Sequence, residues 1–233
     1  MLEITHLTRR YGSKTAVSDL TFSLSEGETC ALLGPNGSGK TTLMKMIAGL
    51  VQPTSGQILV DNQPVGTATK AAVAYMPTEN YFYNYMTLRD AGRYYADFFP
   101  DFDPARYDRM LSEMSLNPKD KIRQLSSGMS AKLRLALILC RDAKLMMFDE
   151  PLNGVDILTR TQVISAIASS RTDGRAMLIS THLVDELEAQ IDRAVFMKDG
   201  KIVLAGTRDE LRQKGTLTEL YLEIYGNGGE GAC

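Results

Sequence analysis

A run of eight residues, GPNGSGKT over Gly34–Thr41, constrains this chain of 233 residues more than any other feature. The run matches the pattern G-x-x-x-x-G-K-[ST] in full, with an apolar strand-like segment before it and a helical pattern after it. Glycines let backbone N–H groups wrap a phosphate without Cβ clashes, and the N-terminus of the following helix favours an anion. The run therefore predicts a phosphate-binding loop between a buried strand and a helix.

The same loop predicts how a nucleotide is held. We expect Lys40 to neutralise β- and γ-phosphates and the Thr41 hydroxyl to bind Mg²⁺. Such a loop occurs in nucleotide kinases, GTPases, helicases and transporter subunits, so the rest of the chain has to decide between them. The predicted nucleotide-binding residues of this segment are Gly34, Pro35, Asn36, Gly37, Ser38, Gly39, Lys40, Thr41 and Thr42.

A second candidate element is the apolar run Leu145–Phe148, which ends in the two carboxylates Asp149 and Glu150. Asp149 at the end of a strand can reach Mg²⁺, usually through water, and Glu150 can orient and polarise an attacking water. Two acids could also merely end a strand at the surface, but the intact phosphate loop favours the catalytic interpretation.

Short aliphatic or β-branched runs alternate with helical patterns along the chain, which predicts an α/β fold with a mostly parallel core sheet. The first 25 or so residues and Gln57–Val60 predict a smaller antiparallel β layer. We expect one helix from about Lys40 to Gly49. The predicted core strands are Thr29–Leu33, Val73–Met76, Leu145–Asp149, Ala176–Ser180 and Ala194–Met197.

One stretch is unusually aromatic, because ten of the 17 Phe and Tyr residues lie between Tyr81 and Tyr107. Its prolines and its helical patterns from about Leu88 predict an inserted helical subdomain over roughly 80–125. The aromatic side chains either form the core of this subdomain or line a groove for a short helix of a membrane protein. Stacking on nucleic acid would need interleaved basic residues, whereas aspartates match or outnumber arginines here.

Composition narrows the possible partners and the compartment. The net charge is −2, from 26 basic and 28 acidic residues, so nucleic acid is not predicted as a partner. Three scattered cysteines (Cys30, Cys140 and Cys233) suggest neither a metal site nor a disulfide framework, which favours a reducing cytoplasm. No apolar stretch approaches the roughly 20 residues that span a bilayer, and no signal peptide is recognisable. We therefore expect any membrane location to depend on a partner.

The segment LSSGM, residues 125–129, lies about twenty residues before Asp149 and opens an apolar helical pattern. In placement and sequence it resembles the signature motif LSGGQ of ABC-type ATPases. The resemblance runs from about Leu2 to Lys214, with the motifs in the order and spacing of the family. It implies a P-loop NTPase domain over 1–215 with the inserted helical subdomain, followed by a C-terminal tail over 216–233.

The resemblance also implies roles for single residues. Ser126, Ser127 and Gly128 would contact the nucleotide of a second subunit, His182 would be the switch histidine, and Tyr11 would stack on adenine. Leu152–Asp156 resembles the D-loop of the family. Taken alone, Ser126 could be only a helix cap, His182 a helix-start residue and Tyr11 a core or surface aromatic. The order of the motifs favours the functional roles.

The sequence departs from the family at two places. Ser127 replaces the first signature glycine and Met129 replaces the glutamine. At the Q-loop, Thr78 stands where the family has glutamine, and Glu79 follows it. Either Glu79 is a metal ligand there, or Thr78 acts through water, or the loop no longer contacts the metal.

The resemblance implies an ATP-binding and ATP-hydrolysing subunit that uses ATP and Mg²⁺ and drives transport through a separate membrane permease. It would lie at the cytoplasmic face of the membrane, as a homodimer or as a heterodimer with a related ATPase subunit. The short length and Met129 favour an exporter. The alternative is a soluble ABC-type ATPase without a transport role, although such members usually carry two cassettes or long insertions.

Overall fold

The computed structural model describes residues 1–79 and 81–226. Cys233 and the part of the predicted frayed tail (226–232) that follows Gly226 lie outside the described residues. Among the described residues, no helix combines the length and the apolar character needed to cross a membrane.

A six-stranded sheet forms the centre of the α/β fold, in the strand order β10-β9-β3-β8-β7-β6. The four pairs from β9 to β6 are parallel, and β10 pairs with β9 in antiparallel fashion. Every residue of β3, β7 and β8 is buried, as expected for strands covered on both faces. The strands are β3 (Thr29–Leu33), β6 (Val73–Met76), β7 (Leu145–Asp149), β8 (Ala176–Thr181), β9 (Arg193–Lys198) and β10 (Lys201–Thr207).

A second sheet is antiparallel and has the strand order β2-β1-β4-β5. It contains the predicted β layer. With helix α1 (Lys40–Ile47) it covers one face of the core sheet, where Leu32, Leu43 and Met147 share a core with Leu2. Its strands are β1 (Leu2–Tyr11), β2 (Lys14–Leu24), β4 (Ser55–Val60) and β5 (Gln63–Pro64).

Helices cover the other face, where Leu33 and Phe148 join a second core. These residues follow Leu32 and Met147 directly, so the two cores alternate along each strand with the two-residue period of a sheet. The remaining helices are α2 (Leu88–Phe98), α3 (Pro104–Glu113), α4 (Ser127–Leu139), α5 (Ile157–Ser169), α6 (Val184–Leu187), α7 (Arg208–Arg212) and α8 (Leu217–Gly226). Three 3₁₀ turns lie at Ala68–Lys70, Ile122–Gln124 and Glu188–Gln190.

The aromatic stretch forms the helical region that the sequence predicts. Thr87 begins α2 with a capping box that includes Asp90, and Asp103 begins α3 immediately before Pro104. The Tyr107 hydroxyl donates to the Leu88 carbonyl oxygen at 2.7 Å and ties the two helices together. Phe82, Tyr95, Phe102 and Tyr107 are buried in the core, as the first alternative predicts, whereas Tyr81, Tyr83, Tyr85, Tyr94 and Phe98 are exposed. The groove for a helix of a membrane protein stays a prediction.

Helix α8 occupies much of the segment predicted as a tail. Its Tyr225 hydroxyl donates to the carbonyl oxygens of Leu33 and Met197, at 3.3 and 2.9 Å. Leu33 is the last residue of β3, so α8 packs beside the strand that leads into the phosphate loop.

Candidate nucleotide-binding site

The phosphate loop joins β3 to α1, and its glycines adopt conformations that favour glycine. Gly37 and Gly39 have φ angles of +84° and +108°. A Cβ atom on Gly39 would lie 2.4 Å from the Ala16 carbonyl oxygen, whereas a Cβ on Gly37 would meet no atom within 4 Å. Gly37 borders a cavity of about 440 Å³, so this open space is where a ligand can approach the loop backbone.

That cavity brings together most of the predicted nucleotide-binding residues. Its volume is in the range of small-molecule sites. Tyr11 is half exposed at the cavity, and the Arg9 guanidinium lies 4.4 Å from the centre of its ring. The predicted site residues that line the cavity are Tyr11, Asn36, Gly37, Gly39, Lys40, Thr41, Thr42 and Glu150.

Three residues of the loop do not line the cavity, and their contacts are with the protein itself. A Cβ on Gly34 would lie 2.5 Å from the Met197 carbonyl oxygen. Pro35 accepts a hydrogen bond from the Ser38 amide at 3.2 Å. Ser38 is buried, and its hydroxyl has no hydrogen-bond partner among the residues that the structure describes.

The ammonium group of Lys40 is buried and surrounded by oxygen atoms. It donates to the carbonyl oxygens of Gly34 and Pro35, at 2.6 and 3.2 Å, and lies 3.2 Å from Oε1 of Glu150. Three acceptors match the three protons of a lysine ammonium group. Lys40 also lines the cavity, where a phosphate oxygen would bind the ammonium group by replacing one of these acceptors.

Glu150 connects Lys40 to His182. Its second carboxylate oxygen, Oε2, lies 2.9 Å from Nδ1 of His182, and Glu150 itself is 7% exposed. Glu150 has a φ of +50°, which is a strained backbone conformation for a residue with a side chain, and its amide donates to the Ser180 hydroxyl at 3.0 Å. The three residues predicted as catalytic thus form one connected group.

Asp149 is fully buried, and hydroxyl groups hold its carboxylate. Thr41 and Ser180 donate to Oδ1 at 3.1 and 2.6 Å, and Tyr75 donates to Oδ2 at 3.1 Å. Thr41 lines the cavity, and its hydroxyl is the neighbour of the buried Asp149 carboxylate, so the pair supplies oxygen donors that fit Mg²⁺. The part of the chain that the structure describes has no cluster of three or more His, Cys, Asp or Glu suited to a metal. An ion here would complete its coordination with phosphate and water.

At the Q-loop position, the structure places Thr78 and Glu79 at different cavities. Thr78 lines the cavity and donates to the Asp149 carbonyl oxygen at 3.3 Å. Glu79 is exposed and lines a second cavity, of about 510 Å³, and its role as a metal ligand stays a prediction. Arg134 of α4 donates to the carbonyl oxygens of Pro77, at 2.7 Å, and Thr78, which fixes the path of this loop.

The signature residues lie apart from this cavity. Ser126 begins α4 and its hydroxyl accepts the Met129 amide at 3.2 Å, so it is a helix cap. Ser127 is exposed, while Gly128 is buried with Thr159 and Asp156 as neighbours. None of the three lines the cavity of its own chain.

Several residues at the site were not among the predicted ones. Lys14 and Asn153 line the cavity, and Ser180 and Tyr75 bind the Asp149 carboxylate. Ser180 could have been found as the end of a strand that pairs with β7. Tyr75 has no motif of its own, and only the register between strands reveals its contact.

Comparison with known proteins agrees with this geometry. The family described as ABC transporter matches residues 17–153, more than half of the chain. The chain belongs to the ABC transporter family. Its fold is accordingly that of the ATP-binding cassette of this family, and ATP binding and hydrolysis are the activities that membership implies.

Relatives of this ABC cassette are ATP-binding proteins. An ABC transporter ATP-binding protein of Synechocystis is 31% identical, over 84% of this chain and 58% of its own length. The linearmycin resistance ATP-binding protein of Bacillus subtilis is 30% identical, over 97% of this chain and 76% of its own. The lantibiotic transport ATP-binding protein of Streptococcus pyogenes is 30% identical, over 88% of this chain and 90% of its own length.

Solved structures give the same result. An ATP-binding subunit of an ABC transporter superimposes with a TM-score of 0.86 at 29% identity, and the match covers 96% of this chain and 99% of the other. A dimeric bacterial ABC transporter cassette superimposes with a TM-score of 0.80 at 19% identity, and the match covers 89% of this chain and 99% of the other. This similarity supports the fold.

The loop geometry predicts different consequences for two glycine substitutions. Gly39→Ala places a Cβ against backbone, so we expect it to lower the free energy of unfolding by about 3 kcal/mol or more. Gly37→Ala meets no atom and is expected to cost about 1–2 kcal/mol of backbone strain, while its methyl group projects into the cavity and weakens nucleotide binding. Urea unfolding and ADP titration of both variants measure this. Equal losses of stability would contradict the account.

Proposed function

We propose that this chain is the ATP-hydrolysing subunit of an ABC exporter, which drives transport through a separate permease. The connected group of Lys40, Glu150 and His182 beside the pair Thr41–Asp149 carries the proposal. This group joins a phosphate-binding cation, a candidate water-orienting carboxylate and an oxygen site for a divalent cation at one cavity.

The residues divide the work of hydrolysis among them. Lys40 binds the β- and γ-phosphate oxygens, and the backbone N–H groups of the loop surround them. Thr41 and Asp149 hold Mg²⁺, which when bound neutralises phosphate charge. Glu150 accepts a hydrogen bond from the attacking water and orients it toward the γ-phosphorus. His182, 2.9 Å from Glu150, keeps that carboxylate in place and contacts the γ-phosphate.

A second copy, or a related subunit, completes each site. The signature residues Ser126 and Gly128 do not line the cavity of their own chain, and Ser126 is exposed at the start of the 13-residue helix α4. The exposed N-terminus of that helix is suited to an anion. In the pair it faces the nucleotide held by the other chain, so that ATP joins the two copies and loss of the γ-phosphate releases them.

The second cavity is the proposed contact with the permease. Aromatic residues Tyr81, Tyr95 and Phe99 line it together with Ile138, so its surface is largely apolar. Lys45, Lys70 and Glu79 add charges. We assign it to a short amphipathic helix of the permease. This contact would hold the chain at the cytoplasmic face of the membrane. The transport of lantibiotics by one relative and the resistance to linearmycin conferred by another support export.

The dependence of ATPase activity on protein concentration tests the proposed pairing. Because each site needs residues from two chains, we expect Mg²⁺-dependent hydrolysis whose specific activity rises with protein concentration until the pair is saturated. Steady-state phosphate release over a hundredfold range of enzyme concentration measures it. A constant specific activity from a protein that stays monomeric with ATP would contradict the proposal.

A further inference from the structure

Hydroxyl groups from three separate elements fix the buried carboxylate of Asp149. Thr41 of α1 and Ser180 of β8 donate to Oδ1, whereas Tyr75 of β6 donates to Oδ2 at 3.1 Å. Rotation of the carboxylate would break hydrogen bonds on both oxygens, and unmade bonds of a buried carboxylate are costly. The orientation of Asp149 therefore depends on Tyr75 on one side and on Thr41 and Ser180 on the other.

The strand register explains why Tyr75 reaches this carboxylate. Strands β6 and β7 are parallel, and Tyr75 is paired with Met147, two residues before Asp149. Residues two apart on a strand share a face, so Asp149 is a diagonal neighbour of Tyr75. A diagonal neighbour lies within reach of a long aromatic side chain, and the hydroxyl at its end makes the contact.

The hydrogen bond from Tyr75 to Asp149 differs from the one that the following loop makes. Thr78, at the expected Q-loop position, donates to the backbone carbonyl oxygen of Asp149, not to its carboxylate. Glu79 lines the second cavity, and so does Tyr75. Within this segment, Tyr75 both borders the second cavity and contacts the carboxylate.

We propose that Tyr75 is a positioning residue for the metal, because its hydroxyl fixes Oδ2 of Asp149 so that the carboxylate receives Mg²⁺ together with the nucleotide. This inference rests on the proposed role of Asp149 as a metal-binding residue. A tyrosine hydroxyl is protonated at neutral pH, so it donates to the carboxylate.

The test is calorimetric titration of the full chain with ADP, once in EDTA and once at increasing Mg²⁺. Tyr75→Phe removes one oxygen atom and keeps the ring. Hydrogen bonds to metal ligands from residues outside the coordination shell typically contribute 10–100-fold in metal affinity. We therefore expect the Mg²⁺ concentration that gives half of the change in ADP affinity to rise about tenfold in Tyr75→Phe. The affinity for ADP in EDTA should not change, whereas the midpoint of urea unfolding should fall, because the buried Asp149 carboxylate loses a hydrogen bond. Tyr94→Phe, on the exposed side of α2, is the matched control.

The outcomes separate this inference from the proposed function. If Mg²⁺ strengthens ADP binding equally in the wild type and in Tyr75→Phe, or more in the variant, the role of Tyr75 is overturned and the proposed function stands. If the variant loses affinity equally with and without Mg²⁺, Tyr75 has only a structural role, which also overturns the inference. If Mg²⁺ does not change the ADP affinity of the wild type, the role of Tyr75 and the proposed function are both contradicted.

Discussion

Replacing Glu150 by glutamine is expected to lower kcat for ATP hydrolysis by roughly 10²–10⁴-fold, the usual contribution of a general base. Glutamine has the size of glutamate but cannot polarise an attacking water. The Glu150 carboxylate is buried between Lys40 and His182. It is the one carboxylate of this connected group, so in the glutamine variant the group has no carboxylate left to polarise the water. Single-turnover hydrolysis with Mg²⁺ and ATP measures the effect.

Binding should survive the same substitution. Loss of the negative charge 3.2 Å from Lys40 leaves that ammonium group freer to bind phosphate, so we expect the Kd for ATP to stay unchanged or to fall. Glu223→Gln, an exposed position on α8, is the matched control and should keep full activity. Hydrolysis within threefold of the wild-type rate in Glu150→Gln would remove Glu150 from the mechanism.

Replacing Lys40 by alanine is expected to weaken ATP binding about 10–100-fold, because hydrogen bonds to charged groups contribute about 1.5–3 kcal/mol. The ammonium group is 5% exposed and already lies among three oxygen atoms at the cavity. Its removal takes away the lysine that binds the β- and γ-phosphates, while the backbone donors of the loop and the other predicted contacts remain. Equilibrium titration with ATP in the absence of hydrolysis measures the change.

Two controls make the Lys40 result interpretable. Lys201→Ala removes an exposed lysine at the start of β10, and we expect it to bind ATP as the wild type does. Circular dichroism would establish that Lys40→Ala folds, since Glu150 loses one partner of its buried ion pair. A folded Lys40→Ala variant with unchanged affinity would place the phosphates elsewhere.

Much of the fold could be predicted because its core strands are short apolar runs with clear ends. β3, β6 and β7 have the predicted bounds, since glycine, proline and acidic residues follow them directly. The short β5 and the edge strand β10 were not predicted. In β10 exposed residues alternate with partly buried ones, and it lacks the uninterrupted apolar run that marks a central strand.

The candidate site was predictable where one continuous segment forms it. The phosphate loop needs only local sequence, and so does the Asp149–Glu150 pair. The contact between Tyr75 and Asp149 joins residues 74 apart and follows from strand register, which a single sequence does not specify. The placement of Thr78 depends likewise on a distant residue, Arg134, which binds the loop carbonyls from α4.

Recovery of partners tests the central claim most directly. A tagged Glu150→Gln form, purified with ATP from membranes of its native cells, should retain its closed pair because hydrolysis is slow. We predict that a protein with several membrane spans comes with it in stoichiometric amounts, and that substitution of the partly buried Phe99 at the second cavity releases that protein. Recovery of soluble partners alone, such as ribosomes or DNA-bound proteins, would contradict the transporter assignment and favour an ABC-type ATPase without a transport role.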